Sequence, residues 1–238
     1  MSAKDHVGWR SLFLRRLGSV SPLSEGAASL VGELKCLGRT LPPDAEIRAD
    51  AGTMAVVAWG SAYRYRMLAD GRRVVFDVLL PGDLIELATP AMESDLAAAA
   101  SNKLDLVFVR EAQLKRLSEA NPEFGKAIAM TTQADSLRLM AHVMRLSRLT
   151  AYERVAHFLL EIHDRLNVIG LAPNGRFQMP INQIVLSDAL GMTRFHVNRT
   201  LRRLRTDGWV ELNQQVVHLR DAEALADLCE YKRWHPVA

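Results

Sequence analysis

The spacing of apolar residues changes several times along the chain, and each change predicts a different element. Near the start, Trp9, Leu12, Phe13 and Leu17 fall on one helical stripe, and a second helix follows from Ser24 through Leu30, Leu34 and Leu37. Between Thr40 and Val109 the pattern shortens to β-type runs: Met54 to Trp59, Ala62 to Met67, Val74 to Leu80 and Leu104 to Val109. Turn signals at Gly60-Ser61, Asp70-Gly71 and Pro81-Gly82-Asp83 separate them. Short strands at this spacing predict a jelly-roll β-barrel beneath two covering helices.

From Asn121-Pro122 a helical period returns, with proline at the first helical position, and runs to about Ser147. Met130, Gln133, Leu137, Met140, Met144 and Ser147 are spaced by three and four, which makes a coiled-coil seam; one long helix packed on its own domain gives the same pattern. Thr150 and Glu153 have the spacing of a capping box, so the chain is expected to bend and start a helix with Val155, Phe158, Leu159 and Ile162 inward. Glu153, His157 and Glu161 share one face of that helix. Such a row can ligate a metal, but a histidine on a solvated face is the preferred reading and no metal site is assigned.

Two short helices then meet at Gly191. Leu186, Ala189 and Leu190 give the first a buried face, and Thr193 is placed to cap the second, which buries Val197, Leu201 and Leu204. Its outer face carries Arg194, Phe195, Asn198, Arg199 and Arg202. Arginine can pair with guanine, asparagine with adenine, and an apolar ring can meet a thymine methyl. An αα-hairpin with a solvated arginine face is the plainer alternative. Beyond it, Trp209 to Leu212 and Val216 to Leu219 flank a polar turn and read as a β-hairpin, Phe177-Gln178-Met179 can add a third strand, and Asp221 opens a closing helix. Helix-turn-helix plus hairpin makes a winged domain.

Charge is uneven in a way that fits this reading. The whole chain is +3, yet residues 175–205 hold six arginines against a single acid, Asp188. Phosphate attraction concentrates there. No apolar run approaches the roughly 18 residues that span a bilayer, and the start lacks a signal-peptide core, so no membrane partner and a cytoplasmic location are expected. The two cysteines, Cys36 and Cys229, lie far apart and are expected as buried thiols rather than a disulfide or metal pair.

The segment resembles the DNA-binding domain of the Crp/Fnr superfamily of bacterial transcription regulators, aligning without gaps from Ile181 to Leu201. It is especially similar to the branch with His-Val-Asn-Arg-Thr-Leu in the recognition helix, here His196 to Leu201. The resemblance implies base reading by Arg194 or Phe195, Asn198 and Arg199, the last on a guanine. It implies phosphate contacts from Asn182, Gln183 and Thr193, with His196 either joining them or simply packed or exposed; Arg202 is added to the phosphate set. Many members carry glutamate where Phe195 stands, so the operator core is expected to depart from the usual one. Ile184 and Val185 stand where polar residues are usual, and pack against a neighbour or face a partner.

Tyr63-Arg64-Tyr65-Arg66 and Leu79-Leu80-Pro81-Gly82-Asp83 look like the cyclic-nucleotide-binding-type sensor fold of the same branch. The implied layout is α+β: a sensor jelly roll over 1–120, a dimerisation helix over 121–149 with Met130, Leu137, Met140 and Met144 in its seam, and a winged helix-turn-helix over 150–238. A homodimer with recognition helices about 34 Å apart would read a palindromic operator on double-stranded DNA, and an activator would also engage RNA polymerase.

The ligand site departs from the family. Ile85-Glu86-Leu87 replaces the Gly-Glu-Leu step, and Asp95 to Ser101 lacks the arginine that meets a cyclic phosphate, which speaks against cyclic AMP. Glu86 and Leu87 are the candidate effector-pocket residues. An iron–sulfur centre needs about four thiolates and is not expected. Haem stays open, with His6 or Cys36 as axial donors, and makes a haem or other small-molecule sensor the alternative reading. A cupin-type metalloenzyme lacks the clustered histidines it needs, so no catalytic residue is assigned.

Overall fold

The structure, a computed structural model, describes residues 8–86 and 96–233. Helices α1 (Trp9–Gly18) and α2 (Glu25–Glu33) precede strands β1 (Cys36–Leu41), β2 (Thr53–Trp59), β3 (Ala62–Met67), β4 (Arg73–Leu79), β5 (Leu84–Glu86), β6 (Leu96–Ala100) and β7 (Leu104–Arg110). Helix α3 (Glu111–Ala120) leads into the long α4 (Pro122–Arg148). The C-terminal part follows as α5 (Ala151–Val168), β8 (Arg176–Gln178), α6 (Gln183–Leu190), α7 (Arg194–Thr206), β9 (Val210–Asn213), β10 (Val216–Leu219) and α8 (Ala222–Leu228). The sheets run β1-β7-β2-β5, β4-β3-β6 and β8-β10-β9, and every pairing is antiparallel.

Strands β2 and β7 of the N-terminal roll read as nearly continuous apolar runs because both of their faces are covered. Ala55 and Val57 of β2 and Leu104, Leu106 and Phe108 of β7 meet Ala62, Leu79 and Ala98 inside the roll. The intervening Val56, Ala58, Val107 and Val109 face the other way, onto Trp9, Phe13 and Leu17 of α1. The second sheet is covered by the winged domain: Tyr63, Val75, Val78 and Ala99 join one cluster with Val155, Leu159, Val185 and Ala189. Gly82 is required in the β4–β5 turn, since its φ is +86° and a Cβ there would lie 2.8 Å from the Leu12 carbonyl.

The winged domain is also seated by polar contacts. Arg73 of β4 lies over the Tyr63 ring, donates to its hydroxyl at 2.8 Å and pairs with Asp188 of α6 at 2.7 Å. Ser61 donates to the Pro180 carbonyl, and Arg15 of α1 donates to the Ile169 carbonyl at 3.4 Å. Arg16 and Arg165 both pair with the buried Asp83. Burial opposes the Asp83 charge, yet Arg165 and Arg16 hold its carboxyl well below the usual range.

Several sequence expectations are corrected. Helix α2 stops at Glu33 with Leu34 already extended, so Leu37 belongs to β1 and is exposed. Cys36 lies on that same edge strand and is exposed too, not buried; Cys229 is buried, which pushes its thiol up to about 11. Strands β5 and β6 were not foreseen; four alanines in β6 carry little strand propensity, and tertiary pairing with β3 overrides it.

His157 is not on a solvated face. It is 2% exposed, because Arg145 of α4 reaches over it: Nε donates to His157 Nδ1 at 3.2 Å and Nη2 pairs with Glu161. A guanidinium can only donate, so Nδ1 must be the accepting nitrogen and the imidazole is neutral. Leu87 and His6 lie outside the described residues.

Candidate nucleic-acid interface

Three local devices fix the helix-turn-helix. Asn182 caps α6, its Oδ1 accepting from the N–H of Ile184 at 2.9 Å and of Val185 at 3.0 Å. Gly191 takes the left-handed corner at φ 59°, ψ 38° and donates to the Asp188 and Ser187 carbonyls. Thr193 Oγ1 accepts from the His196 N–H at 3.2 Å and starts α7. Both capping side chains keep their own donors, the Asn182 amide and the Thr193 hydroxyl, on the outer surface with exposed Gln183.

Helix α7 buries Val197, Thr200, Leu201 and Leu204 and exposes the rest. Phe195, Asn198, Arg199 and Arg202 therefore share one outward stripe, with Arg194 and His196 beside it. Arg194, Arg199, Arg202 and Arg205 have no ion-pair partner among the described residues. Arg203 differs: it pairs with Asp207 at 3.6 Å and lies over the Tyr152 ring, whose hydroxyl donates to Asp207 at 2.7 Å. That cluster ties the end of α7 to the start of α5.

Val185 is buried in the domain core, which accounts for its apolar character, whereas Ile184 is 47% exposed and nothing in the structure explains it. The hairpin β9–β10 turns through Gln214 and Gln215, both at positive φ, and β8 pairs with β10 on its other side.

Arg154 is a positioning residue that sequence patterns missed. Its guanidinium donates to the Leu190 carbonyl at 2.9 Å and to the Leu146 and Leu149 carbonyls at 3.1 Å, satisfying the C-terminal ends of α6 and α4 together. Nothing in the spacing of an arginine near a helix start announces partners on two other helices.

A cleft of about 970 Å³ opens between the roll and α4, and Glu86, Arg138, His142 and Glu161 are among the residues that line it. Its four arginines are all matched by acids: Arg48 by Glu46, Arg64 by Asp77, Arg138 by Asp135 and Arg145 by Glu161. Of the expected seam, Leu137 and Met140 are exposed at 50% and 66%, with Met130 and Met144 half-buried. Among the described residues no helix is long and apolar enough to cross a membrane.

Residues 153–228 match the Crp-like helix-turn-helix domain family. The chain is 30% identical over 179 residues to the nitrogen fixation regulation protein FixK of Azorhizobium caulinodans, spanning 75% of this chain and 72% of that one. It is 23% identical over 172 residues to the transcriptional activator protein FnrA of Stutzerimonas stutzeri, spanning 71% and 69%. The solved structure of FixK2 from Bradyrhizobium japonicum superposes with a TM-score of 0.70 at 27% identity, covering 86% of this chain and all of that one. A helix-turn-helix followed by a β-hairpin, a long helix, an N-terminal β-roll and relatives matched over most of their length lead to one assignment: the chain belongs to the Crp/Fnr family of DNA-binding transcription regulators.

Proposed function

We propose that the chain acts in the cytoplasm as a homodimer that reads a palindromic operator, inserting α7 of each protomer into successive major grooves while the β9–β10 wing follows the phosphates. The observation that carries this is the outward stripe of α7, where Phe195, Asn198 and Arg199 stand beside Arg194 and Arg202, which no carboxylate among the described residues neutralises. Arg199 reads a guanine; Arg194, Phe195 and Asn198 complete the base contacts; Asn182, Gln183, Thr193, His196 and Arg202 hold phosphates. The dimer reading is supported by Leu137, Met140 and Val143, which leave an apolar stripe on the solvent side of α4. As an activator the dimer would also contact RNA polymerase. Selection of bound sequences from a random duplex pool tests the reading: a two-fold symmetric site with half-sites one turn apart is expected, and recovery of unselected sequence would refute it.

The sensor is proposed not to take cyclic AMP. The paired state of the arginines that line its cleft among the described residues supports this, since a cyclic phosphate needs a cation that is not already engaged. The same cleft favours a small-molecule sensor as the second reading, haem included. An absorption spectrum of the purified protein separates these, because a Soret band is diagnostic of haem.

A further inference from the structure

We infer that Phe195 is a specificity-determining residue that recognises a thymine by its 5-methyl group, within about two base pairs of the guanine taken by Arg199. The inference rests on the operator-reading function of α7. Phe195 is 71% exposed, more than any other large apolar side chain among the described residues, and it sits in the first turn of α7 among arginines. A ring so exposed contributes little to the packing of the described residues. The Arg199 guanidinium lies 5.9 Å from its centroid and the His196 ring 6.0 Å away at 56°, so the phenyl group stands between the two polar side chains on the same outward face.

The N-terminal turn of a recognition helix is the part that meets base edges. Most groups on the floor of the major groove are hydrogen-bond donors or acceptors, and an apolar ring pressed on them leaves them unsatisfied. The thymine methyl is the apolar exception. Cytosine in the same place presents only a C–H at position 5, so the ring loses its methyl contact and the position favours thymine over cytosine without a single hydrogen bond. Phe195 and Arg199 are one helical turn apart, which places their two bases close together.

The test uses the full-length protein and its selected operator. Each thymine is replaced in turn by deoxyuridine, which deletes only the methyl group. One thymine per half-site should respond, with affinity falling about 4-fold for one half-site and about 15-fold for both. Restoring the methyl on another base, by placing 5-methylcytosine there, should bind better than cytosine. Phe195→Ala should bind the thymine and deoxyuridine operators equally, while Phe195→Leu keeps part of the preference. An exposed ring should leave the unfolding midpoint unmoved in both variants. Deoxyuridine that is neutral at every position, or a penalty that persists in Phe195→Ala, would overturn the inference with operator binding intact. A random pool that yields no preferred sequence would instead remove the reading on which it rests, and this inference with it.

Discussion

Arg165 of α5 donates to Asp83 of the β4–β5 turn across 2.5 Å, and the same carboxylate accepts from Arg16 of α1 at 3.1 Å. One buried acid therefore joins the covering helix, the roll and the first helix of the winged domain. Asp83→Ala leaves two guanidiniums buried with their main partner gone, a loss of about 3–5 kcal/mol. Urea unfolding followed by circular dichroism should show the midpoint fall accordingly; a midpoint equal to the parent would mean that solvent reaches the arginines.

Acid should loosen the junction before it reaches the carboxylates. Burial first, and the Arg145 charge second, push His142 and His157 down from 6.5 to about 4. Their folded pKa is depressed, so their contribution is fully present above pH 6.5 and is lost as pH falls from there towards 4, on the order of 1–3 kcal/mol for each. Urea midpoints measured from pH 7.5 to 4.5 should decline across that window, and the slope should be shallower in His142→Gln. A flat profile in the parent protein would contradict the neutral, buried state of both rings.

The outer stripe of α4 makes a prediction about assembly. Leu137→Glu with Met140→Glu puts four carboxylates into a two-fold seam, and the dimer dissociation constant should rise about 100-fold or more. Sedimentation velocity reads this directly. Because neither side chain is buried within the protomer, the far-ultraviolet spectrum should stay as it was; a persistent dimer would move the interface elsewhere.

Two arginines of α7 should fail in different ways. Arg199→Ala should cost about 1–3 kcal/mol of discrimination per half-site while retaining salt-sensitive binding to random duplex. Arg202→Ala should weaken all duplexes alike and reduce the slope of log affinity against log salt by about one per half-site. Titrations at several salt concentrations distinguish the two, and identical behaviour would merge the proposed base and phosphate roles.

Local signals in the sequence reached far into the winged domain. The Thr150–Glu153 capping box, the proline start of α4, the Thr193 cap and the Gly191 corner all depend on groups within four residues, and each forms as the spacing implies. The hairpin was equally legible from alternation and turn residues, and the third strand, which Phe177 to Met179 could add, forms one residue earlier at Arg176–Gln178. What failed was long-range. His157 reads as solvated until Arg145, twelve residues earlier on another helix, folds over it. Arg73 and Asp188 are ordinary surface charges in the sequence, 115 residues apart, and only the packing of α6 on β4 joins them. Cys36 was expected inside because its type is usually buried, but its place on an exposed edge strand overrides the residue's preference.

The apolar cluster that runs without a break from Tyr63 and Val75 to Val185 and Ala189 limits how such a regulator can be rebuilt. A reading head cut from this chain carries a greasy footprint shaped by its own receiver, so grafting it onto a foreign receiver demands a matching seat as well as a matching linker. Swapped heads that ignore this footprint should clump rather than respond, whichever operator they still know how to find.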